Sequence, residues 1–319
     1  MNIKTLLAGV AGFVFLVGAT ALADPTYSIY SVPPLTNGGM LTYGLNGLGS
    51  YVGWTYSGGT YFGFMLGPLG QTTAIDPPSA VNTHPTGINN NNVVVGFFSD
   101  SSGATHGFMD AGGSYTTLNV PGAVSTYAIG VNNIGQVAGY YVDAKGITHG
   151  FIEYAGVFTT IDVPGAVATY GLSVNQEGEV VGSYFDGSEV RGFIYHNGTF
   201  QYVDYPNAAV TWLTGVNADG TIVGWSRSCD TCVADPFVRW SDPNWTFPFW
   251  AGGPGFQPTG IDDYGLDIGF ASNVFPTTEG DEVNGGNRRP GAIPEPGTTV
   301  LVGAGAMVLL LAKRCLKKQ

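Results

Sequence analysis

The sequence predicts an all-β protein, a six-bladed β-propeller built from four-stranded repeats of about 43 residues. Three observations carry that reading. The chain of 319 residues holds 50 Gly and few charged residues. It is rich in Val, Ile, Thr and aromatic side chains, which suit pleated strands. One phrase of the form G-V-N-x-x-G-x-V-V-G also returns at a nearly constant spacing. Each return is followed by further strand-like segments, so one repeat holds four strands, the content of a propeller blade.

The six copies read GLNGLGSYVG, GINNNNVVVG, GVNNIGQVAG, SVNQEGEVVG, GVNADGTIVG and GIDDYGLDIG. Their anchors are Asn46, Asn89, Asn132, Asn175, Asn217 and, in the last copy, Asp262, spaced by 43, 43, 43, 42 and 45 residues. Local chemistry explains the phrase. An Asn or Asp side chain bonds nearby backbone and opens a turn, and a Gly three residues later takes a left-handed conformation. The result is a tight hairpin between two short apolar strands. One oxygen-bearing residue per turn does not make a calcium cage.

The rest of each repeat recurs as well. A second turn (SDSSG, VDAKG, FDGS) leads to a third strand. That strand carries HGF at His106 and His149, RGF at Arg191, FGF at Phe62 and DPF at Asp235. A fourth strand carries TTLNVPGA, TTIDVPGA or QYVDYPNA. The early segment TYSIYSVPPLTNGG reads like that fourth strand. It is expected to complete the sixth blade, whose own copy stops after Asn273, and so to close the ring and cover free strand edges. An open solenoid fits less well, because its rungs of about 20–30 residues do not need four strands each.

The two ends carry different signals. Lys4, the apolar run LLAGVAGFVFLVGA and the small-x-small site Ala21-Leu22-Ala23 predict a signal peptide over residues 1–23, with a helical apolar core, cleaved after Ala23. The repeat body spans residues 24–276. Residues 277–292 are rich in Gly, Asn, Pro and charge and lack an apolar period, which predicts a disordered linker. Residues 293–319 hold Pro294-Glu295-Pro296, an apolar run at about 298–312, then Lys313, Arg314, Lys317 and Lys318. That run is expected as a short apolar helix. A stable transmembrane helix needs about 20 residues, and the basic end is expected on the cytoplasmic side.

This order of parts resembles the PEP-CTERM sorting signal of bacteria over the last 27 residues, Ile293 to Gln319. The resemblance implies an exosortase-type processing enzyme as partner and export with a transient C-terminal membrane anchor. It also implies release to the cell surface or extracellular matrix of a Gram-negative-type bacterium. The HGF and G-x-N-x-x-G phrases resemble HAF-type repeats over residues of about 40 to 270. That family implies an extracellular repeat protein with no agreed activity.

Charge excludes one class of partner. Between Asp24 and Gly280 twenty acidic residues face four basic ones, Lys145, Arg191, Arg227 and Arg239. Such a surface repels phosphate backbones, so nucleic acid is not a partner. Cys229 and Cys232 in SCDTC are a disulfide candidate in a compartment that permits one. A thioredoxin-like site would need a strand-to-helix setting. A metal site would need more ligands nearby, and none is expected. There is no P-loop, Rossmann glycine pattern, HExxH or nucleophile elbow, so no cofactor is expected.

Candidate site residues follow from the repeats and from where they break. The residue after Val-Gly is Trp54, Phe97, Tyr140, Ser183, Trp225 or Phe270. This row either stacks on sugars or, as strand aromatics more often do, packs blade on blade. His106 and His149 share a position that holds Phe or Arg elsewhere, which argues against a metal. Asp76, Asp162 and Asp204, with Asn119 as the fourth copy, stand close before Pro. They read as turn openers, since a catalytic carboxylate pair needs two unlike environments. One stretch breaks the repeat, WSDPNWTFPFWAGGPGF. Its Trp240, Trp245 and Trp250 either form an aromatic platform for a glycan or seal the last blade. The sequence therefore points to an exported non-catalytic surface or extracellular-matrix protein that contacts exopolysaccharide or another surface component. One alternative is a secreted glycan hydrolase or lyase on a propeller scaffold. A second is ice binding through the pairs Thr72-Thr73, Thr116-Thr117 and Thr159-Thr160, which radiating blades would not lay on one flat face.

Overall fold

Turn chemistry sets the first hairpin of every repeat. The computed structural model describes residues 26–31, 40–228, 235–239, 256–261, 267–271 and 308–313. At Asn89 the side-chain Oδ1 accepts from the Asn91 and Val93 amides, each at 2.9 Å. The chain then reverses through a left-handed residue: Gly49, Gly135, Gly178 and Gly220 have φ of 74–88°, and Asn92 takes φ 58° in the same place. Asn tolerates that region because its short polar side chain bonds locally.

The strands follow the predicted order. After β1 (Thr26–Ser31), the first unit is β2 (Met40–Leu45), β3 (Tyr51–Ser57), β4 (Thr60–Leu66) and β5 (Thr72–Ile75). The second is β6 (Asn82–Ile88), β7 (Val93–Ser99), β8 (Thr105–Ala111) and β9 (Tyr115–Leu118). The third is β10 (Ser125–Val131), β11 (Val137–Val142), β12 (Thr148–Tyr154) and β13 (Val157–Ile161). The fourth is β14 (Ala168–Val174), β15 (Val180–Phe185), β16 (Val190–His196) and β17 (Thr199–Val203). Each unit is an antiparallel meander. The next repeat supplies β18 (Val210–Val216), β19 (Ile222–Arg227) and β20 (Asp235–Arg239), and the last supplies β21 (Phe256–Ile261) and β22 (Asp267–Ala271). The architecture is all-β and propeller-like.

The first strand of each unit is the inner one. It carries a bulge just before the anchor, between Pro85 and Gly87 in β6 and at the matching place in the others. Bulges sharpen strand twist. The inner strands lie side by side in the order β2, β6, β10, β14, β18, β21, and β21 also lies against β2. Their approach is close. A Cβ on Gly44 would sit 2.9 Å from Gly87 Cα, and one on Gly130 would sit 2.9 Å from Ser173 Cα. That crowding is why the phrase opens with glycine.

The core lies between neighbouring units. Val52 and Ile75 of the first unit pack on Val94 and Phe108 of the second. The same layer recurs as Val95 and Leu118 on Val137 and Phe151, as Ala138 and Ile161 on Val180 and Phe193, and as Val181 and Val203 on Ile222 and Phe237. The aromatic of each HGF-type phrase is therefore the core ring, and Phe108, Phe151, Phe193 and Phe237 are fully buried. Burying each such ring contributes about 2–3 kcal/mol.

The chain ends depart from expectation in one respect. The described part of the apolar run expected as a helix is instead a strand, β23, over Val308–Lys313. It pairs antiparallel with β1, from Thr26↔Lys313 to Ser31↔Val308, and lies beside β22. A partner strand thus satisfies backbone groups that a helix would satisfy internally. No helix among the described residues is long and apolar enough to cross a membrane. The signal peptide with Ala23, the linker, Asp262, Cys229, Cys232, Pro294, Glu295 and Pro296 lie outside the described residues.

Candidate functional site

The bulged inner strands converge on a cavity of about 620 Å³. Its middle is walled by the bulge residues Tyr43, Thr86, Ile129, Leu172, Thr214 and Thr259. Toward the anchor turns it is lined by the carboxamides of Asn90, Asn133 and Gln176. Toward the start of the inner strands it is lined by the rings of Trp54, Tyr61, His84, Phe97 and Tyr140. No Asp, Glu, Lys or Arg among the described residues lines it.

The rings form a continuous belt. Within a unit they stack face to face: Tyr43 on Trp54 at 4.1 Å, His84 on Phe97 at 4.7 Å, Tyr127 on Tyr140 at 4.7 Å. Between units they meet edge to face: Trp54 with His84 at 4.8 Å, Phe97 with Tyr127 at 5.0 Å, Tyr140 with Tyr170 at 5.2 Å. The belt continues through Trp212, 5.5 Å from Tyr170 and 5.9 Å from Trp225. Offset and edge contacts satisfy the ring quadrupoles. From the row after Val-Gly, Trp54, Phe97 and Tyr140 therefore pack unit on unit, and they also line the cavity. Sequence reasoning missed the partner row, His84, Tyr127, Tyr170 and Trp212. It was visible as polar-edged rings spaced by 43, 43 and 42 residues.

Burial tunes the belt toward neutrality. It pushes the His84 pKa down to about 4 and the Tyr43 pKa up to about 12. Tyr140 is raised by burial, with smaller contributions from Tyr127 and Tyr170. The His84 Nδ1 is buried without a hydrogen-bond partner, an arrangement that disfavours a charged ring.

At the amide end, side chains reach from one unit to the next. Asn46 Nδ2 donates to Asn89 O at 2.9 Å, Asn89 to Asn132 O at 2.9 Å, and Asn132 to Asn175 O at 2.8 Å. One residue on, backbone amides donate in the same direction: Gly47 N to Asn90 Oδ1 at 2.8 Å, Asn90 N to Asn133 Oδ1 at 2.8 Å, Asn133 N to Gln176 Oε1 at 3.1 Å. The anchor phrase is thus both a turn and a staple between repeats.

The outer polar residues serve a different purpose. His106 sits between Asp100 (3.2 Å) and Asn119 (3.1 Å). His149 sits between Asp162 (2.9 Å) and Asp143 (3.5 Å). Arg191 holds Asp186 at 2.8 Å, Glu189 at 2.6 Å and Asp204 at 3.0 Å. Each basic group ties the turn after the second strand to the residue near Pro. Arg191 holds the Asp186 carboxyl well below its usual range, and Ser102 together with His106 does the same for Asp100. Asp76 donates its backbone amide to the Tyr115 hydroxyl at 2.9 Å. No group of three or more metal-ligating side chains among the described residues could hold an ion. The Thr pairs are exposed on β5, β9 and β13, the outermost strands of separate units. Successive strand residues point to opposite faces, so these pairs do not share one. Trp240, Trp245 and Trp250 lie outside the described residues.

No protein-family model and no curated protein matches the chain. Several solved structures resemble it distantly. Virginiamycin B lyase from Staphylococcus aureus is 12% identical, covering 89% of this chain and 99% of that one, with a TM-score of 0.47. A gluconolactonase from Xanthomonas campestris is 11% identical, covering 93% and 94%, with a TM-score of 0.47. The β-propeller domain of the trilobed protease from Pyrococcus furiosus is 13% identical, covering 66% and 67%, with a TM-score of 0.46.

Proposed function

We propose that this chain is an exported, non-catalytic surface or matrix module whose central cavity holds neutral sugar units of an exopolysaccharide or surface glycan. The observation that carries this reading is the lining of the cavity: rings on one side, carboxamides on the other, and no charged side chain among the described residues. The C–H faces of a pyranose pack on aromatic faces, and its hydroxyls exchange hydrogen bonds with amides and hydroxyls. A few fixed polar groups in an otherwise apolar concavity are the usual make-up of a small-ligand site.

The finer architecture belongs to the same proposal. Six anchors make six blades, and the ring closes where β21 meets β2. The N-terminal strand β1 serves the sixth blade through β23 and β22. Delivery follows from the two ends: a signal peptide cleaved after Ala23, and a PEP-CTERM tail handled at Pro294-Glu295-Pro296 by an exosortase-type enzyme. The glycan hydrolase alternative calls for two carboxylates in unlike settings about 5–10 Å apart. Asp162 and Asp204 are instead engaged with His149 and Arg191.

Co-sedimentation of the full chain with neutral and acidic fractions of the producer's exopolysaccharide tests the binding half. Retention by the neutral fraction is expected, and exclusive retention by the acidic fraction would sink it. Deleting residues 293–319 tests delivery. The body should move from the processed surface fraction to the periplasm or medium, whereas unchanged fractionation with an unchanged C-terminal mass in the intact chain contradicts it.

A further inference from the structure

The first unit departs from its neighbours at the mouth of the cavity. In the second and third units the last cross-strand pair before the outer turn is Ser99↔Thr105 and Val142↔Thr148. The first unit places Tyr56↔Tyr61 at the equivalent position, one pair short of its own turn where Ser57↔Thr60 closes the hairpin, and on the same face as Trp54. Their rings are 4.9 Å apart, and Tyr61 is 4.8 Å from His84. Tyr56 is 49% exposed and Tyr61 38%. Tyr61, His84, Trp54 and Phe97 all line the cavity. An aromatic path therefore runs from open solvent at Tyr56 into the site.

Two further features set this mouth apart. One residue along, on the opposite face of the sheet, the second, third and fourth units carry His106, His149 or Arg191, each in contact with at least one carboxylate. The first unit has Phe62 there, and its turn, Gly58-Gly59, carries no acid. The hairpin is also fixed in place: the Tyr61 amide donates to Asn82 Oδ1 at 3.0 Å, and Asn82 Nδ2 donates to Ser99 Oγ at 3.0 Å. Exposed rings on a rigid hairpin beside a cavity are poor core and good recognition surface.

We propose that Tyr56 and Tyr61 form a stacking lip for a neutral hexopyranose chain, with one end of the chain in the cavity and the following sugars lying along the two rings. This rests on the saccharide reading above and adds to it the entry side and a chain longer than the cavity. A neutral chain suits the mouth because the lip and the lining carry no charged group among the described residues, while the net charge of −12 on the whole chain disfavours uronates.

Calorimetric titration of the full chain with neutral disaccharides and hexasaccharides (cello-, laminari- and malto-series) tests it. Tyr56→Ala and Tyr61→Ala should each weaken the preferred hexasaccharide about tenfold. Tyr56→Ala should leave the matching disaccharide unchanged. Tyr202→Ala, which removes a 52% exposed Tyr on β17, should change neither. If the hexasaccharide binds both lip variants as tightly as the wild type, the lip is overturned and the cavity reading stands. If the wild type binds no neutral saccharide, or binds a uronate hexamer more tightly, the underlying reading falls with it. Circular dichroism of each variant separates lost binding from lost fold.

Discussion

The Asn46 carboxamide reaches across one full repeat and donates to the backbone carbonyl of Asn89 at 2.9 Å. Asn89 repeats the act on Asn132, and both side chains are almost completely buried. Asn89→Ala removes that donor and orphans the Asn91 and Val93 amides. Unsatisfied buried groups are costly, so urea denaturation should show a loss of about 2–4 kcal/mol. Asn89→Asp keeps the acceptor but turns the donor edge into a carboxylate facing the Asn132 carbonyl, and should lose a similar amount. A loss below about 0.5 kcal/mol in both would mean that the staple carries no stability.

Close approach of the inner strands gives a second test. Gly130→Ala would place a methyl 2.9 Å from Ser173 Cα and 3.2 Å from Leu172 O, both backbone atoms. Backbone yields little, so the variant should lose about 2–3 kcal/mol in the same assay. Ser173 stands in the glycine row and accepts from the Val216 amide at 3.3 Å. Ser173→Gly should therefore cost about 1 kcal/mol by stranding that amide rather than relieve crowding.

His84 makes stability depend on pH. Its folded pKa of about 4 lies below the unfolded value of 6.5, because burial disfavours the imidazolium. Between these values the unfolded chain binds the extra proton, so stability falls as pH drops from about 6.5 to 4. His84→Phe should flatten that part of the melting curve and raise the melting temperature at pH 4.5, relative to wild type, by on the order of 5 °C after discounting for partial exposure. The separate loss below pH 4, where Asp186 and Asp100 gain protons against Arg191 and the Ser102–His106 pair, should remain. A wild-type melting temperature that does not change between pH 7 and 4.5 would contradict the placement of His84.

The repeat was legible because its causes are local. Asn at the anchor, a left-handed residue three positions on and apolar strand segments leave a direct trace, so the register of the four-stranded units followed from spacing. The anchor's second role did not, because a bond from Asn46 to Asn89 joins residues that are distant along the chain. His84 was likewise missed: Tyr127, Tyr170 and Trp212 occupy its position, and only packing shows that they form one belt. His106, His149 and Arg191 share one repeat position, and spacing alone did not show what each one holds. Their partners, Asp143 and Asp162 for His149, lie on separate turns that only the fold brings together. The Tyr56–Tyr61 lip was hidden because both residues read as ordinary strand aromatics. The tail was read as a helix from its apolar content, and its described segment Val308–Lys313 forms a strand with β1 as partner.

The most direct test of the account is the emission of Trp54, which is stacked on Tyr43 in the cavity wall. Titrating the full chain with the neutral hexasaccharide series should change tryptophan fluorescence saturably and independently of salt up to about 0.5 M, since no ion pair is involved. Trp54→Phe should abolish the change while keeping binding within about tenfold by calorimetry. A wild-type emission that no neutral saccharide alters would contradict a sugar-binding cavity at the centre of this protein.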